Sequence, residues 1–183
     1  MDRSERTDTS FVKGNFSIVA VHLMDGNDDS VTKVLKDDWY FFNDWYRLND
    51  KRDGLELNGG NAVVRNLYGK NISFSAVAGK NGSGKSSLMS IVYRVLNNLS
   101  YLMTIGLDRN AAEPLFFVAG VYASLYFESE GRLGWVACED SLITFHWGDE
   151  KDVEMSYDWS NDNIRDGLLE YNRQFISRYF CFT

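Results

Sequence analysis

Proline and cysteine are scarce in this sequence: its 183 residues include one proline, Pro114, and two cysteines, Cys138 and Cys181. The cysteines are far apart, and each is surrounded by apolar residues. This is typical of buried thiols rather than of a disulfide or a pair of metal ligands. Histidine is equally rare, and His22 and His146 each stand alone in a predicted strand. We therefore expect both histidines to pack against neighbours rather than to bind a metal.

The sequence also lacks an excess of positive charge and any long apolar run. Its formal net charge at pH 7 is −7, which gives no basic surface for nucleic acid or for an anionic membrane. No run approaches the ~20 apolar residues of a membrane span, and residues 1–14 are polar rather than signal-like. We therefore expect a cytoplasmic protein that makes no membrane contact.

The apolar content is that of a folded domain, with 44% hydrophobic and 15% aromatic residues. Much of the aromatic content falls in residues 31–60, which we interpret as an insertion or loop region. Its densest part consists of Trp39, Tyr40, Phe41, Phe42, Trp45 and Tyr46. Such rings either stack on a base or a partner, or pack the insertion onto a sheet. We favour packing, because aromatic rings more often fill cores.

A phosphate-binding motif lies near the middle of the chain. Residues 79–87 read GKNGSGKSS and match the pattern G-x-x-x-x-G-K-[ST] at Gly79, Gly84, Lys85 and Ser86. Glycines let successive backbone N–H groups approach phosphate oxygens. The Lys85 ammonium reaches the β- and γ-phosphates, and the Ser86 hydroxyl coordinates a bridging Mg²⁺. The motif therefore predicts a site for a nucleoside triphosphate with Mg²⁺.

The residues on either side of the motif suit a strand, a loop and a helix. Residues 72–78 are small and apolar, which predicts a buried strand. After the loop, apolar residues recur at helical spacing from Leu88 to Leu102, which predicts an amphipathic helix beginning near Gly84. The positive end of that helix would face the phosphates.

Further elements are predicted along the chain from apolar runs and turn signals. They are strands at residues 16–24 and 62–68, a polar loop at 50–61, a meander of strands at 115–128, 133–138 and 142–147, a helix at 158–173 and an apolar run at 175–183. The acidic turn at residues 25–30 resembles a calcium loop only superficially, because Ser30 and Lys36 occupy positions that need glycine and glutamate. The apolar ending predicts that residues 1–183 are the first lobe of a longer ATPase.

Hydrolysis of a triphosphate needs a second carboxylate motif that holds Mg²⁺ and orients water. The nearest candidates are residues 135–140 (WVACED) and 125–130 (LYFESE). Both fit hairpin turns of the predicted meander better than a catalytic motif. We therefore expect no independent catalytic carboxylate in these residues.

Residues 72–88, with the core GKNGSGKSSL, resemble the N-terminal lobe of ABC-type ATPases of the SMC and RecF kind. The strand at 16–24, the run VLKDDWYFF at 34–42 and the run SIVYRVLNNLSYL at 90–102 are more particularly similar to the ATPase subunit of Septu-type and retron-associated anti-phage systems. The resemblance implies an α/β P-loop NTPase fold, with a mixed sheet, a P-loop helix and an antiparallel meander. It also implies a single nucleotide-binding domain over residues 1–183.

The same resemblance implies a set of site residues and partners. The phosphate and Mg²⁺ site would consist of Asn81, Gly82, Ser83, Gly84, Lys85, Ser86 and Ser87, with Lys85 catalytic and Ser86 on the metal. Gln174 would be the glutamine that touches the metal. ATP would be bound between two copies of the chain, a nuclease would be the protein partner, and contact with nucleic acid would come through that complex.

Hydrolysis is then expected only from a longer, dimeric form, because these residues lack a recognisable signature motif and second carboxylate motif. Two alternatives stay open at this point. One keeps the same fold but assigns DNA repair or chromosome maintenance, as in RecF-like and SMC proteins. The other is a non-catalytic module that senses a nucleotide or binds a partner.

Overall fold

The computed structural model describes residues 16–59, 76–107, 117–129, 131–149, 151–158 and 163–164. Within these ranges the chain forms nine strands and two helices. The strands are β1 (Phe16–Leu23), β2 (Trp39–Phe41), β3 (Tyr46–Leu48), β4 (Leu55–Leu57), β5 (Tyr122–Ser129), β6 (Arg132–Glu139), β7 (Leu142–Trp147), β8 (Val153–Asp158) and β9 (Asn163–Ile164). The helices are α1 (Asp29–Thr32) and α2 (Lys85–Leu107).

Seven strands form one sheet in the order β2-β1-β5-β6-β7-β8-β9. Every neighbouring pair in this sheet is antiparallel. β3 and β4 form a separate antiparallel hairpin. The sheet is therefore a meander from β5 onward, extended on its other side by β1 and β2.

The predicted α/β fold with a mixed sheet is wrong for the described residues. Their strands pair only in the antiparallel sense. From β5 to β8 this follows from the short turns between successive strands, which can join only antiparallel neighbours. Residues 76–78, predicted to end a buried strand before the loop, are exposed and have no regular structure. The rest of that prediction, at 72–75, and the predicted strand at 62–68 lie outside the described residues.

Helix α2 packs on the inner face of the sheet and closes the main core. Its buried apolar positions are Leu88, Ile91, Val92, Val95 and Leu99. They meet strand residues that include Val21, Leu125, Val136, Ile143 and Phe145. Burying each of these large side chains contributes about 1.5–3 kcal/mol. The helix predicted after the loop is confirmed, with the expected apolar face turned inward.

Three aromatic rings stack on the inner face, and two of them pack against a glycine. The Phe127 ring stacks on Phe145 at 6.1 Å and on Trp147 at 5.5 Å between centroids. Gly134 pairs with both Phe127 and Trp147 across neighbouring strands. A Cβ atom at Gly134 would lie 2.6 Å from Trp147 Cε3 and 2.7 Å from Phe127 Cζ. The absence of a side chain at this position therefore makes room for both rings.

The outer face of the sheet carries a second, smaller core built from the aromatic-rich region. Its buried residues are Val19, Ala20 and Tyr46, with Trp39, Trp45, Leu55, Tyr126 and Leu133 packed against them. An irregularity in β1 between Ile18 and Ala20 places both Val19 and Ala20 in this cluster. Trp39 stacks on His22 at 4.3 Å between ring centroids. The interpretation of the aromatic-rich region as a packing element is thus confirmed for these rings.

Three local predictions need correction. The predicted loop at 50–61 contains β4, which pairs with β3. The meander is confirmed, but β5 begins at Tyr122, later than predicted. Asn163–Ile164 form a strand rather than part of a helix, and the remainder of the helix predicted at 158–173, apart from Asp158 in β8, lies outside the described residues. In the part of the chain that the structure describes, no helix has the length and apolar character needed to span a membrane.

Candidate functional site

The phosphate-binding motif forms an exposed loop at the N-terminal end of α2. Residues 76–83 are exposed, Gly84 and Lys85 are half-buried, and Ser86 is exposed. Ser87, in contrast, is buried, with 6% of its surface accessible. The seven predicted site residues at 81–87 are therefore contiguous around one helix end, with Ser86 facing solvent and Ser87 facing inward.

Two glycines give the loop its shape. Gly82 has φ = +78° and Gly84 has φ = +88°, in the left-handed region that other residues rarely adopt. The Ser83 N–H donates to the Lys80 carbonyl oxygen at 3.2 Å, which closes a tight turn. The Leu88 N–H donates to the Gly84 carbonyl oxygen at 2.8 Å, the first hydrogen bond of the helix. The sequence thus places a left-handed residue immediately before the helix begins.

Gly84 also lies against the segment that follows α1. A Cβ atom there would be 2.5 Å from Leu35 Cδ2 and 3.2 Å from Val34 Cγ2. The Tyr40 hydroxyl holds this segment by accepting from the Lys36 N–H at 2.9 Å and donating to the Lys36 carbonyl oxygen at 3.0 Å. Sequence reasoning missed this neighbour of the loop, because the contact joins residues about fifty positions apart.

The Lys85 side chain folds back over the loop. Its Nζ donates to the carbonyl oxygens of Gly79, at 2.5 Å, and Lys80, at 2.7 Å. An ammonium group has three donors, so one remains beyond these two contacts. The positive charge of Lys85 is therefore held at the loop by two carbonyl groups of the loop's own backbone.

The N-terminal end of α2 carries the positive end of a long helix dipole. The helix has 23 residues and no acidic residue in its first turn. The first backbone N–H groups of a helix have no partner within the helix, and an anion near them is stabilised by the aligned peptide dipoles. The exposed loop, the Lys85 ammonium and the helix end therefore favour a negatively charged group at the same place.

A groove of about 670 Å³ runs from this helix end along the solvent side of α2. It is lined next to Lys85 and Ser86 by Val77, Met89, Tyr93, Arg94, Asn97 and Val118. None of the described residues that line it is a carboxylate. These described residues offer hydroxyl, amide and cationic groups, and none of them is a carboxylate that could act as a general base toward water.

The two candidate carboxylate motifs belong to hairpins, as the sequence predicts. Asp140 lies in the turn between β6 and β7 with φ = +55°, and its Oδ1 accepts from the Gly120 N–H at 2.9 Å. Glu128 is buried near the end of β5, and its Oε1 accepts from the Gly131 N–H at 2.9 Å. Gln174 lies outside the described residues. The described part of the chain therefore brings neither candidate motif into the groove beside Lys85.

The acidic turn at residues 25–30 and the thiol of Cys138 are the remaining candidates for metal binding or thiol chemistry. Among the described residues, no three His, Cys, Asp or Glu side chains are grouped so as to hold a metal. Asp28, in the acidic turn, caps α1 by accepting from the Ser30 N–H at 2.7 Å, and hydrogen bonding from Ser30 lowers its pKa. Cys138 is buried, and this burial raises the pKa of its thiol to about 12. The thiol therefore stays protonated and unreactive.

Comparison of the chain with protein-family models, with curated proteins and with solved structures finds no match. The resemblance of residues 72–88 to ABC-type ATPases stays a prediction. Function is therefore inferred from the loop at 79–87, the helix that follows it and the groove beside them.

Proposed function

We propose that residues 79–87 bind the triphosphate group of ATP together with Mg²⁺. One observation carries the proposal: two left-handed glycines, a lysine ammonium and an exposed serine hydroxyl meet at the open N-terminus of a long helix. This combination suits a chain of phosphates because it supplies convergent N–H groups, one fixed charge and a hydroxyl ligand. The proposal concerns this local loop and does not depend on a parallel sheet behind it.

Each group has a separate task in the proposed complex. The backbone N–H groups of residues 81–87, apart from that of Ser83, which donates to Lys80, donate to the phosphate oxygens. The Lys85 ammonium exchanges its contacts with Gly79 and Lys80 for the β- and γ-phosphates. The Ser86 hydroxyl coordinates Mg²⁺, whose other ligands are phosphate oxygens and water, as is usual for this ion.

The groove next to the loop favours binding over hydrolysis by this chain. Its described lining residues include no carboxylate, so none of them is an acidic partner for Mg²⁺ or the attacking water. This observation supports a second candidate, a nucleotide-sensing module that binds ATP without consuming it. In the wider proposal a longer, dimeric form in the cytoplasm hydrolyses ATP as part of an anti-phage complex with a nuclease, and this rests on the sequence resemblance alone.

Calorimetric titration of ATP with Mg²⁺ into the wild-type chain and into Lys85→Ala tests the binding proposal. Removing one charge-assisted contact costs about 1.5–3 kcal/mol, which corresponds to roughly ten- to a hundredfold weaker binding. Lys51→Ala is the matched control, because Lys51 is an exposed lysine in the turn between β3 and β4. Equal affinities of the wild type and Lys85→Ala would overturn the assignment of the loop.

The wider role needs a cellular test. We expect cells that express the chain with its neighbouring genes to resist phage infection, and Lys85→Ala to remove that resistance while Lys51→Ala keeps it. Protection that survives Lys85→Ala would separate defence from nucleotide binding and contradict the wider proposal. The binding proposal would then still be decided by calorimetry alone.

A further inference from the structure

A second pocket lies on the outer face of the sheet, on the opposite side from α2. Its volume is about 570 Å³, and it opens between the β3–β4 turn and the strands β5 to β7. The chemically distinctive residues that line it are Asp53, Tyr126, Arg132, Trp135, His146 and Asp149. A volume of this size falls within the range of small-molecule sites.

Aromatic rings form the floor of the pocket. Trp135 and His146 are directly opposite each other on β6 and β7, and their rings stack at 5.4 Å with an interplanar angle of 11°. Tyr126 is the partner of Trp135 on the other side, in β5, but its ring lies against Trp39 at 4.9 Å. In the described part of the chain, Trp135 therefore has an aromatic neighbour on its β7 side alone.

Hydrogen bonds hold several groups of this pocket in place. The His146 Nδ1 lies 2.6 Å from Asp152 Oδ1, which fixes the imidazole ring next to Trp135. The Asn49 side-chain amide donates to Asp53 Oδ1 at 2.7 Å, which fixes that carboxylate in the β3–β4 turn. Burial raises the pKa of Tyr126 to about 12, so its hydroxyl keeps its proton and adds no charge.

The charges at the rim favour a cation. Asp53 lies in the β3–β4 turn and Asp149 in the turn after β7, and Arg132 is the one lysine or arginine among the described lining residues of the pocket. His146 is paired with the Asp152 carboxylate, and among the other lining residues two carboxylates against one guanidinium leave an excess of negative charge. The face of an indole ring also attracts a cation, through its electron-rich π system.

We infer that this pocket binds a planar organic cation, a guanidinium group of an arginine-like small molecule. A guanidinium group stacks flat on an aromatic ring, and its N–H groups, which lie in the plane of the group, donate hydrogen bonds to carboxylates. Trp135 supplies the aromatic face, and Asp53 and Asp149 supply the acceptors. An alkylammonium carries the same charge but cannot stack, and an anion would meet the two carboxylates. The pocket is thus separate in place and in charge preference from the phosphate-binding loop.

Nuclear magnetic resonance of the full ¹⁵N-labelled chain, titrated with methylguanidinium chloride at constant ionic strength, tests the inference. The expected result is a saturable shift of the Trp135 indole N–H signal, which is identified by its loss in Trp135→Phe. The indole of Trp147, which is buried on the inner face, should not shift. Tetramethylammonium should bind at least about fivefold more weakly, because it lacks a planar donor group.

Variants at the rim distinguish binding in the pocket from a general attraction of the cation to the negatively charged surface. Asp149→Asn should weaken methylguanidinium binding at least about threefold, because one acceptor charge is lost. Asp29→Asn, an exposed aspartate in α1, is the matched control and should leave the affinity unchanged. Lys85→Ala should also bind methylguanidinium normally, so failure of the ATP site and failure of this site are separable. A linear, non-saturable shift, or equal binding of tetramethylammonium, would overturn the inference, as would a response of Trp135 to ATP but not to methylguanidinium.

Discussion

At the scale of single residues, Asn98 explains where the meander begins. Its side-chain amide donates to the Val118 carbonyl oxygen at 2.7 Å, and its carbonyl accepts from the Val118 N–H at 2.8 Å. The Asn98 side chain thus makes the two backbone hydrogen bonds that a neighbouring strand would make, and it links Val118 to α2. Asn98 itself is completely buried. Residue 118 therefore stays outside the sheet, although its surroundings in the sequence are apolar enough for a strand.

We predict that Asn98→Ala destabilises the fold by about 1–3 kcal/mol, because it leaves the two part-buried backbone groups of Val118 without their partner. Urea unfolding followed by circular dichroism measures the change. Tyr93→Ala is a suitable control, because Tyr93 is on the same helix and is 66% exposed. A loss for Asn98→Ala no larger than that for Tyr93→Ala would show that Val118 finds another partner.

His22 gives stability a dependence on pH. Burial against Trp39 lowers its pKa, while the nearby charges of Asp37 and Asp38 oppose this effect. The folded state therefore binds fewer protons than the unfolded state, in which the pKa of histidine is about 6.5. The stability contributed by neutral His22 is present above that value and falls as the pH drops below it. We predict that His22→Gln makes the free energy of unfolding less dependent on pH between pH 7.5 and 5.5, as measured by urea titrations. An unchanged slope would mean that His22 titrates as in the unfolded chain.

At the scale of elements, the packing of side chains from the neighbouring strands β5, β6 and β7 depends on Gly134. We predict that Gly134→Ala destabilises the fold by about 1–3 kcal/mol, because the new methyl group overlaps two buried rings. The matched control is Gly59→Ala, since a Cβ atom at Gly59 would meet nothing within 4 Å. Thermal unfolding of both variants measures the difference. Equal stability of the two would show that Trp147 and Phe127 can move aside at little cost.

The elements that the sequence predicts correctly are those set by local patterns. The apolar spacing from Leu88 onward was sufficient for α2, and the turn signals near Gly131 and Asp140 were sufficient for the meander. Two local elements, β4 and β9, were also missed, but the errors in the pairing of the sheet and in the start of β5 concern contacts between distant residues. No local pattern shows that β1 pairs with β5 or that an asparagine on α2 holds Val118.

At the scale of the whole molecule, the expectation of an α/β fold came from the usual surroundings of the loop motif. The loop itself requires only glycines that can adopt a positive φ and a helix that begins directly after them. Gly82 and Gly84 have a positive φ, and α2 begins at Lys85. The candidate site at residues 79–87 could be proposed from the sequence because its residues are contiguous. The groove along α2 and the pocket over Trp135 could not, because each combines residues from distant elements.

At this scale, the described part of the molecule predicts that this chain binds ATP but scarcely hydrolyses it. A missing general base alone typically costs about 10²–10⁴ in rate, and the described lining of the groove next to Lys85 and Ser86 contains no carboxylate. Asp140 and Glu128 were the candidates for a catalytic carboxylate. Each accepts a backbone hydrogen bond elsewhere, Asp140 from the Gly120 N–H and Glu128 from the Gly131 N–H. Phosphate release from the purified chain should therefore stay near background, with Lys85→Ala used to subtract contaminating ATPases. A turnover that is clearly above background and depends on Lys85 would mean that a catalytic carboxylate reaches the γ-phosphate from elsewhere in these 183 residues.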